Sequence, residues 1–376
     1  MIDENLKYKI GITLIKGIGC NLSKSLIAYV GSVEGVFKEK QQNLAKIPGI
    51  GEILSREIVT QINSQGVLKR AEQEIEFILK NKILTTYFTD RDYPYRLKEC
   101  PDSPIMIYSK GPCSLNDGKF VGIVGTRNAT ETGKENCKKL ISDLARVLPN
   151  TVIVSGLAYG IDICAHKTAL ESGLPTIGVI GHGLDRMYPE VHRPVAVKMV
   201  QDGALLTEYL SQTNPDKQNF VQRNRIIAGL CDAIVVVESG IKGGALITAE
   251  IANEYNRDVF AFPGRVTDEW SAGCNALIKN NKASLIESSD DILRFMNWEK
   301  QNSTKAPNVQ TALFLDLSDE EKEIITTLRQ NPDGIQFNEL AIQLEKPISK
   351  TSSLLLDMEF KGLVRCLPGN VYRIVK

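Results

Sequence analysis

The chain has no run of 18 or more apolar residues, and its opening, MIDENLKYKI, has no apolar signal segment, so a cytoplasmic protein without membrane insertion is expected. It has no excess of charge: 45 Lys and Arg stand against 45 Asp and Glu. By segment the cationic and anionic counts are 16 and 13 over residues 1–111, 21 and 22 over 112–311, and 8 and 10 over 312–376. No segment is a basic domain, so any site for a polyanion must be local. The eight cysteines (20, 100, 113, 137, 164, 231, 274 and 366) form no CxxC pair and read as reduced, mostly buried thiols. The three histidines, 166, 182 and 192, have neither HExxH spacing nor flanking cysteines, so no metal site is expected. Neither GxxxxGK[ST] nor GxGxxG occurs, which leaves ATP hydrolysis and dinucleotide binding without support. No serine elbow is present, and no catalytic residue or cofactor is expected, although Asp162 and His166 lie one helical turn apart and can pair. The remaining composition, 43% hydrophobic and 24% charged, is that of an ordinary soluble globular chain.

What the chain does have is KQNFVQRNRIIAGL, residues 217–230. Arg223 and Arg225 can each fork onto a phosphate, Lys217 adds a point charge, Asn224 lies between the arginines, and Phe220 offers a face for a nucleobase. The alternative is an amphipathic helix start with solvated or ion-paired arginines. A spacing of two residues turns Arg223 and Arg225 to different faces of a helix, so one of them can be structural; which one stays open.

The length suggests two or three domains. Residues 1–83 hold two helical patterns behind glycine turns, KGIGCNLSKSLIAYV and IPGIGEILSREIV, and read as a helix-hairpin-helix or SAM-like helical domain. The stretch DRDYPYRLKECPDSPIMIYSKG reads as a proline-rich linking segment. Residues 84–300 then alternate apolar strands with helices: FVGIVG, TVIVSG, PTIGVIG, ALLTEYL, DAIVVVES and DVFAFPG are strands, and RNRIIAGL opens a helix. Such alternation predicts an α/β class, a Rossmann-like, doubly wound, mostly parallel sheet covered on both faces. Residues 301–315 read as a polar linker. Residues 316–376 give helix, helix, helix, hairpin, the order of a winged helix, with an acidic balance that favours protein contact over DNA contact.

In an open parallel sheet, ligands bind beyond the carboxyl ends of the strands, near the switch point of strand order. The polar and glycine-rich turns fall there: Gly125, Thr126 and Arg127 after one strand, Ser155 and Gly156 after the next, Gly181-His182-Gly183 after the third. Glu238, Ser239, Gly240, Lys242, Gly243 and Gly244 follow DAIVVV, with Thr248 and Glu250 in the next helix. Any one glycine turn is ordinary punctuation, whereas several at successive strand ends suggest a phosphate-binding rim.

In this order, GIVGTRNAT, VSGLAYGIDICAHKTAL, GHGLDRMYP, FVQRNRIIAGLCDAIVVVES, KGGALITAEIA, VFAFPG and GCNALI resemble the DNA-processing protein A (DprA/Smf) family over about residues 84–290. The resemblance implies a cytoplasmic, non-enzymatic protein that binds single-stranded DNA, protects incoming DNA in natural transformation and helps load the RecA recombinase. It implies a pocket that includes Arg127, Lys217 and Phe220, and a homodimer formed through the Rossmann-like domain. There are departures: His182 stands where the family usually has a small residue or cysteine, KSGSLIT reads Lys242-Gly243-Gly244-Ala245-Leu246-Ile247-Thr248, and Val221-Gln222 replace a proline often found there. GGALITAE also resembles the GGxGT loop of lysine-decarboxylase-like hydrolases of nucleoside monophosphates, an alternative in which Glu250 supplies the carboxylate.

Overall fold

The structure, a computed structural model, describes residues 3, 5–299, 318–331, 334–344, 346–367 and 370–374. The polar linker expected at 301–315 lies outside the described residues. The chain divides into two compact units, Met1–Ser303 and Thr304–Lys376.

The first unit is built on a nine-stranded sheet: β1 (Leu84–Tyr87), β2 (Met106–Lys110), β3 (Lys119–Val124), β4 (Thr151–Ser155), β5 (Thr176–Val179), β6 (Ala204–Thr207), β7 (Ala233–Val236), β8 (Asp258–Ala261) and β9 (Ser284–Leu285). The order is β1-β2-β6-β5-β4-β3-β7-β8-β9. Strands β3 to β9 pair in parallel, while β2 runs antiparallel to β6 and β1 antiparallel to β2. Strand β2 falls inside the segment expected to be a linker. Its five residues follow Pro101 and Pro104, which break the pattern but leave every amide of MIYSK free for the ladder.

Burial on both faces follows from the alternation of side chains along each strand. Phe120, Val152, Val154, Ile234 and Val236 face one layer, packed under the helices Lys217–Leu230 and Gly244–Glu254. Val121, Ile123, Ile153 and Val235 face the other, under Glu131–Val147 and Ile161–Glu171. Histidine 166 is locked into this packing. Its Nδ1 lies 2.7 Å from Thr176 Oγ1, whose own proton goes to the Ile153 carbonyl, so the ring donates there, and Asp162 is not its partner. Burial pushes its pKa down to about 3. The folded state therefore resists protonation that the unfolded chain accepts, and the stability this secures is full above about pH 6.5 and lost as pH falls towards 3. Unfolding free energy is expected to drop by roughly 2 kcal/mol between pH 6.5 and 5 on this account. Urea titrations of the wild-type protein and His166→Gln at both pH values check this through a smaller pH dependence in the variant.

The helices ahead of the sheet, Leu6–Leu14, Cys20–Val30, Val33–Lys38, Gln41–Leu44, Gly51–Asn63 and Gly66–Asn81, share one hydrophobic cluster with Tyr87, Ile105, Met106 and Tyr108. Residue 84 thus marks a change of architecture within a continuous core. Gly49 and Gly51 adopt φ of 84° and 60°, the left-handed turn that the second glycine motif requires. The turn of the first motif is clasped by Gln61, whose side chain accepts from Lys16 N at 2.8 Å and donates to Lys16 O at 3.0 Å.

The second unit comprises the helices Asp319–Arg329, Phe337–Gln343 and Ile348–Phe360 and the strands β10 (Ile335–Gln336), β11 (Val364–Leu367) and β12 (Val371–Ile374), in the antiparallel order β10-β12-β11. Ser318 and Glu321 form a capping box at its first helix. Ile324, Leu328, Leu340, Leu355, Met358 and Val364 make its core, whereas Ile342, Ile348, Leu356 and Phe360 stay exposed. No helix among the described residues is long and apolar enough to cross a membrane.

Candidate nucleic-acid interface

The chain leaves β3 towards β4 on one side, and after β6 it crosses back to lay β7 on the other side of β3. The loops that follow β3 and β7 therefore diverge, and a cleft of about 690 Å³ opens at this switch point. The return crossing is made by the helix Lys217–Leu230, which begins at Lys217 because Asp216 caps it, accepting from Gln218 N at 2.8 Å. The sequence suggested a helix opening only at the arginines. The earlier start puts Lys217, Phe220, Asn224 and Ile227, spaced by three, four and three residues, on a single face that lines the cleft.

The two arginines of this helix part ways. Arg223 is 4% exposed, and its Nη1 donates to the carbonyls of Gly156, at 2.7 Å, and Val179. Burial lowers its pKa to about 10, and it stays cationic at neutral pH. Asp162, also buried, sits near enough to feel that charge without forming an ion pair, and burial raises its carboxyl above the usual range. Arg223 is thus a buried strut within the cleft wall, lining the cleft and its side hollow while its guanidinium is held by backbone carbonyls. Arg225 points into a second cleft of about 1050 Å³ between the N-terminal helices and the sheet. There it binds Glu208 at 2.5 Å and lies 3.8 Å from Asp102. The structure does not bring Arg225 to the switch point.

The glycines also divide. A Cβ on Gly125 would come within 2.5 Å of Ile161, one on Gly156 within 2.3 Å of Arg223 Nη1, and one on Gly243 within 2.2 Å of Ser239 Oγ, so these three serve internal packing. A Cβ on Gly244 would meet nothing within 4 Å. Gly243 is the N-cap of the helix Gly244–Glu254, no side chain caps it, and the first amides of that helix open onto the cleft beside Lys242. The neighbouring helix Glu131–Val147 offers no such opening. Thr130 caps Gly133 N at 3.1 Å, and the buried carboxylate of Glu238 accepts from Thr130 N at 2.9 Å.

Thr126 is buried, and its amide donates to the Glu238 carbonyl at 2.7 Å, which ties the loops after β3 and β7 together and leaves Arg127 projecting. Arg127, Lys217 and Lys242 are exposed and make no ion pair with any described residue. Their common neighbour is an aromatic surface. The Phe220 ring lies 6.0 Å from Arg127 Cζ and 5.5 Å from the Tyr188 ring at a tilt of 30°. Tyr159, 5.0 Å from His192 in an edge-on contact, extends this surface along a side hollow. Tyr159, Tyr188 and Trp270, all lining the cleft or its hollow, were missed in the sequence; the available signal was the tyrosines of LAYG and DRMYP.

Glu250 lies outside the cleft lining and pairs with Lys282 at 3.1 Å. Among the described residues no group of three or more His, Cys, Asp or Glu is arranged to hold a metal ion. The arrangement joins cations with no ion pair among the described residues, open helix amides and aromatic surfaces, a chemistry that a polyanion can use.

The family model described as DNA recombination-mediator protein A matches residues 84–297, and that of the DprA winged helix domain matches 310–370. The chain is 31% identical to protein Smf of Synechocystis sp. over 99% of its own length and 100% of that relative. It is 43% identical to the DNA processing protein DprA of Streptococcus pneumoniae over 54% of this chain and 71% of the relative. The solved structure of the Streptococcus pneumoniae DNA processing protein A superposes with a TM-score of 0.65 at 34% identity, covering 77% of this chain and 97% of that one. That of Helicobacter pylori DNA processing protein A, solved for its single-stranded DNA binding mode, gives 0.52 at 28% identity over 58% and 98%. A mostly parallel sheet with its cleft at the switch point, a winged helix later in the sequence and matches that span both place this chain in the DNA recombination-mediator protein A (DprA/Smf) family.

Proposed function

We propose that the switch-point cleft binds single-stranded DNA and that the chain acts without catalysis, as a cytoplasmic mediator that shields incoming strands and passes them to the RecA recombinase during natural transformation. The observation that carries this reading is the set of three exposed, unpaired cations, Arg127, Lys217 and Lys242, around the Phe220 and Tyr188 rings. Phosphates answer the cations and the amides of Gly244 and Ala245, and unpaired bases answer the rings. A duplex keeps its bases stacked on one another and cannot use the aromatic surface. Two copies joined through the sheet-bearing unit would double a cluster that is small on one chain, and the acidic winged helix, with Ile342, Ile348, Leu356 and Phe360 exposed, suits a protein partner better than a phosphate backbone.

The test is a titration of short homopolymeric single strands and of matched duplex at two salt concentrations, with the mass of the complex recorded. Binding that is stronger for the single strand and weakens with salt supports the reading, whereas equal affinity for both forms overturns it. Phe220→Ala is expected to cost about 1–3 kcal/mol of single-strand affinity, with an almost unchanged salt dependence, because it removes stacking and leaves the charges in place. Fluorescence anisotropy at the same two salt concentrations checks both parts of that expectation.

A further inference from the structure

The two tryptophans of the chain are placed differently. Trp298 packs against the core under the helix Glu131–Val147, with Lys119 Nζ 5.3 Å from its ring. Trp270 joins none of the hydrophobic clusters among the described residues and sits half-buried in the wall of the switch-point cleft. Its indole makes no hydrogen bond, aromatic contact or cation contact with any described residue. Folded chains ordinarily bury so large a ring or pair its N–H, and here neither is done. The backbone that carries it is nevertheless firmly held. Ser239 N donates to the Trp270 carbonyl at 2.7 Å and Gly273 N to the Ser239 carbonyl at 2.8 Å, while the Asn275 side chain accepts from Gly264 N at 3.1 Å and donates to Gly264 O at 3.0 Å. The segment between β8 and the helix Ala272–Lys279 is thus pinned at both ends. Gly273 permits the close approach, since a Cβ there would come within 2.5 Å of the Gly240 carbonyl oxygen.

We propose that Trp270 is a second base-stacking platform, so that a bound single strand runs across the ends of the parallel strands from Phe220 to Trp270. This rests on the reading of the cleft as a single-strand site. The two rings stand at different strand ends. Phe220 abuts Gly181 in the loop after β5, where an added Cβ would lie 2.9 Å from its Cδ1, and Trp270 abuts Gly240 in the loop after β7, where an added Cβ would lie 3.5 Å from the indole. The ends of β4 and β3 lie between those loops, so the crossing measures three strand spacings, about 14 Å. Arg127 projects from the loop after β3, in the middle of the crossing, and Lys242 with the Gly244 amide follows β7 on the tryptophan side. Phosphates between the two seated bases therefore pass over the cations. The segment that carries Trp270 suits a base better than a phosphate, because Asp268 and Glu269 are exposed beside the ring and Arg265 is the one cation from Pro263 to Ser271. An aromatic face accepts any base, so the second platform adds affinity without sequence preference.

The experiment follows the intrinsic emission of full-length Trp298→Phe, in which Trp270 is the one indole left, during titration with an unlabelled thymidine homopolymer, alongside the anisotropy of a labelled copy of the same strand. The emission is expected to change saturably with the midpoint that anisotropy gives, and matched duplex should leave it unchanged. In the otherwise wild-type chain, Trp270→Ala should weaken single-strand binding about ten-fold with the salt slope retained, and Trp270→Phe, which keeps an aromatic face, should stay within about three-fold of wild type. Anisotropy that rises without any change in emission, or a Trp270→Ala variant that binds like wild type, would overturn the second platform and leave the cleft reading intact. A strand that produces no rise in anisotropy would overturn both. Emission that responds to protein concentration and not to the strand would show the indole covered by a second copy of the chain, and would overturn the platform as well.

Discussion

Replacing Arg127 and Lys217 together with alanine is expected to weaken single-strand binding roughly 100-fold or more while leaving thermal stability unchanged. A hydrogen bond to a charged group contributes about 1.5–3 kcal/mol, and two such contacts are lost at once. Each phosphate contact also contributes about 0.7 to the slope of log affinity against log salt for single strands, so the slope should fall by roughly 1.4. Neither side chain makes an ion pair with any described residue, and both are exposed, so little of the fold depends on them. Anisotropy titrations across a salt series, with melting curves on the same preparations, provide the check. Retained affinity with a retained slope would show that the strand binds elsewhere, and a large drop in melting temperature would show that the cations are part of the fold.

Arg223→Ala is expected to show the opposite pattern. Its guanidinium is the donor for the Gly156 and Val179 carbonyls and the cation nearest Asp162. Truncation takes the arginine donor from these two buried carbonyls, at a cost of about 1–3 kcal/mol each, and removes the cation near buried Asp162. For the unit Met1–Ser303 that corresponds to a fall in melting temperature of roughly 3–10 °C. DNA affinity should weaken only through the loss of folded protein and of wall geometry, with the salt slope close to wild type. Arg223→Lys, whose single ammonium can serve only part of the set, should fall between the two. A variant that melts like wild type but loses its salt slope would reassign Arg223 from strut to ligand.

The contrast between these substitutions shows what could be read without coordinates. Strands such as TVIVSG and DAIVVVES announce a covered parallel sheet by their apolar runs, and that pattern places Arg127 and Gly244 at strand ends before any geometry is known. Helical spacing turns Arg223 and Arg225 to different faces. Deciding which face is buried requires the strand order, because the carbonyls that hold Arg223 come from the ends of β4 and β5, far away in sequence. Tyr188 escaped notice for the same reason, since its contact with Phe220 joins the loop after β5 to a helix more than 30 residues later. Strand β2 was hidden by its prolines and its shortness, and only its antiparallel partners β1 and β6 make it a strand.

The helix Lys217–Leu230 borders both large clefts, and its last turns are sunk in the core. Most positions along it are therefore committed to a task, and few can vary without being felt. Gln218 is exposed and lines neither cleft; its amide is engaged by Asp216, and its side chain makes no hydrogen bond with any described residue. That makes it a natural point of attachment for a fluorophore, one residue from Lys217 and less than one turn from Phe220, where a label can report on an arriving strand without standing in its path.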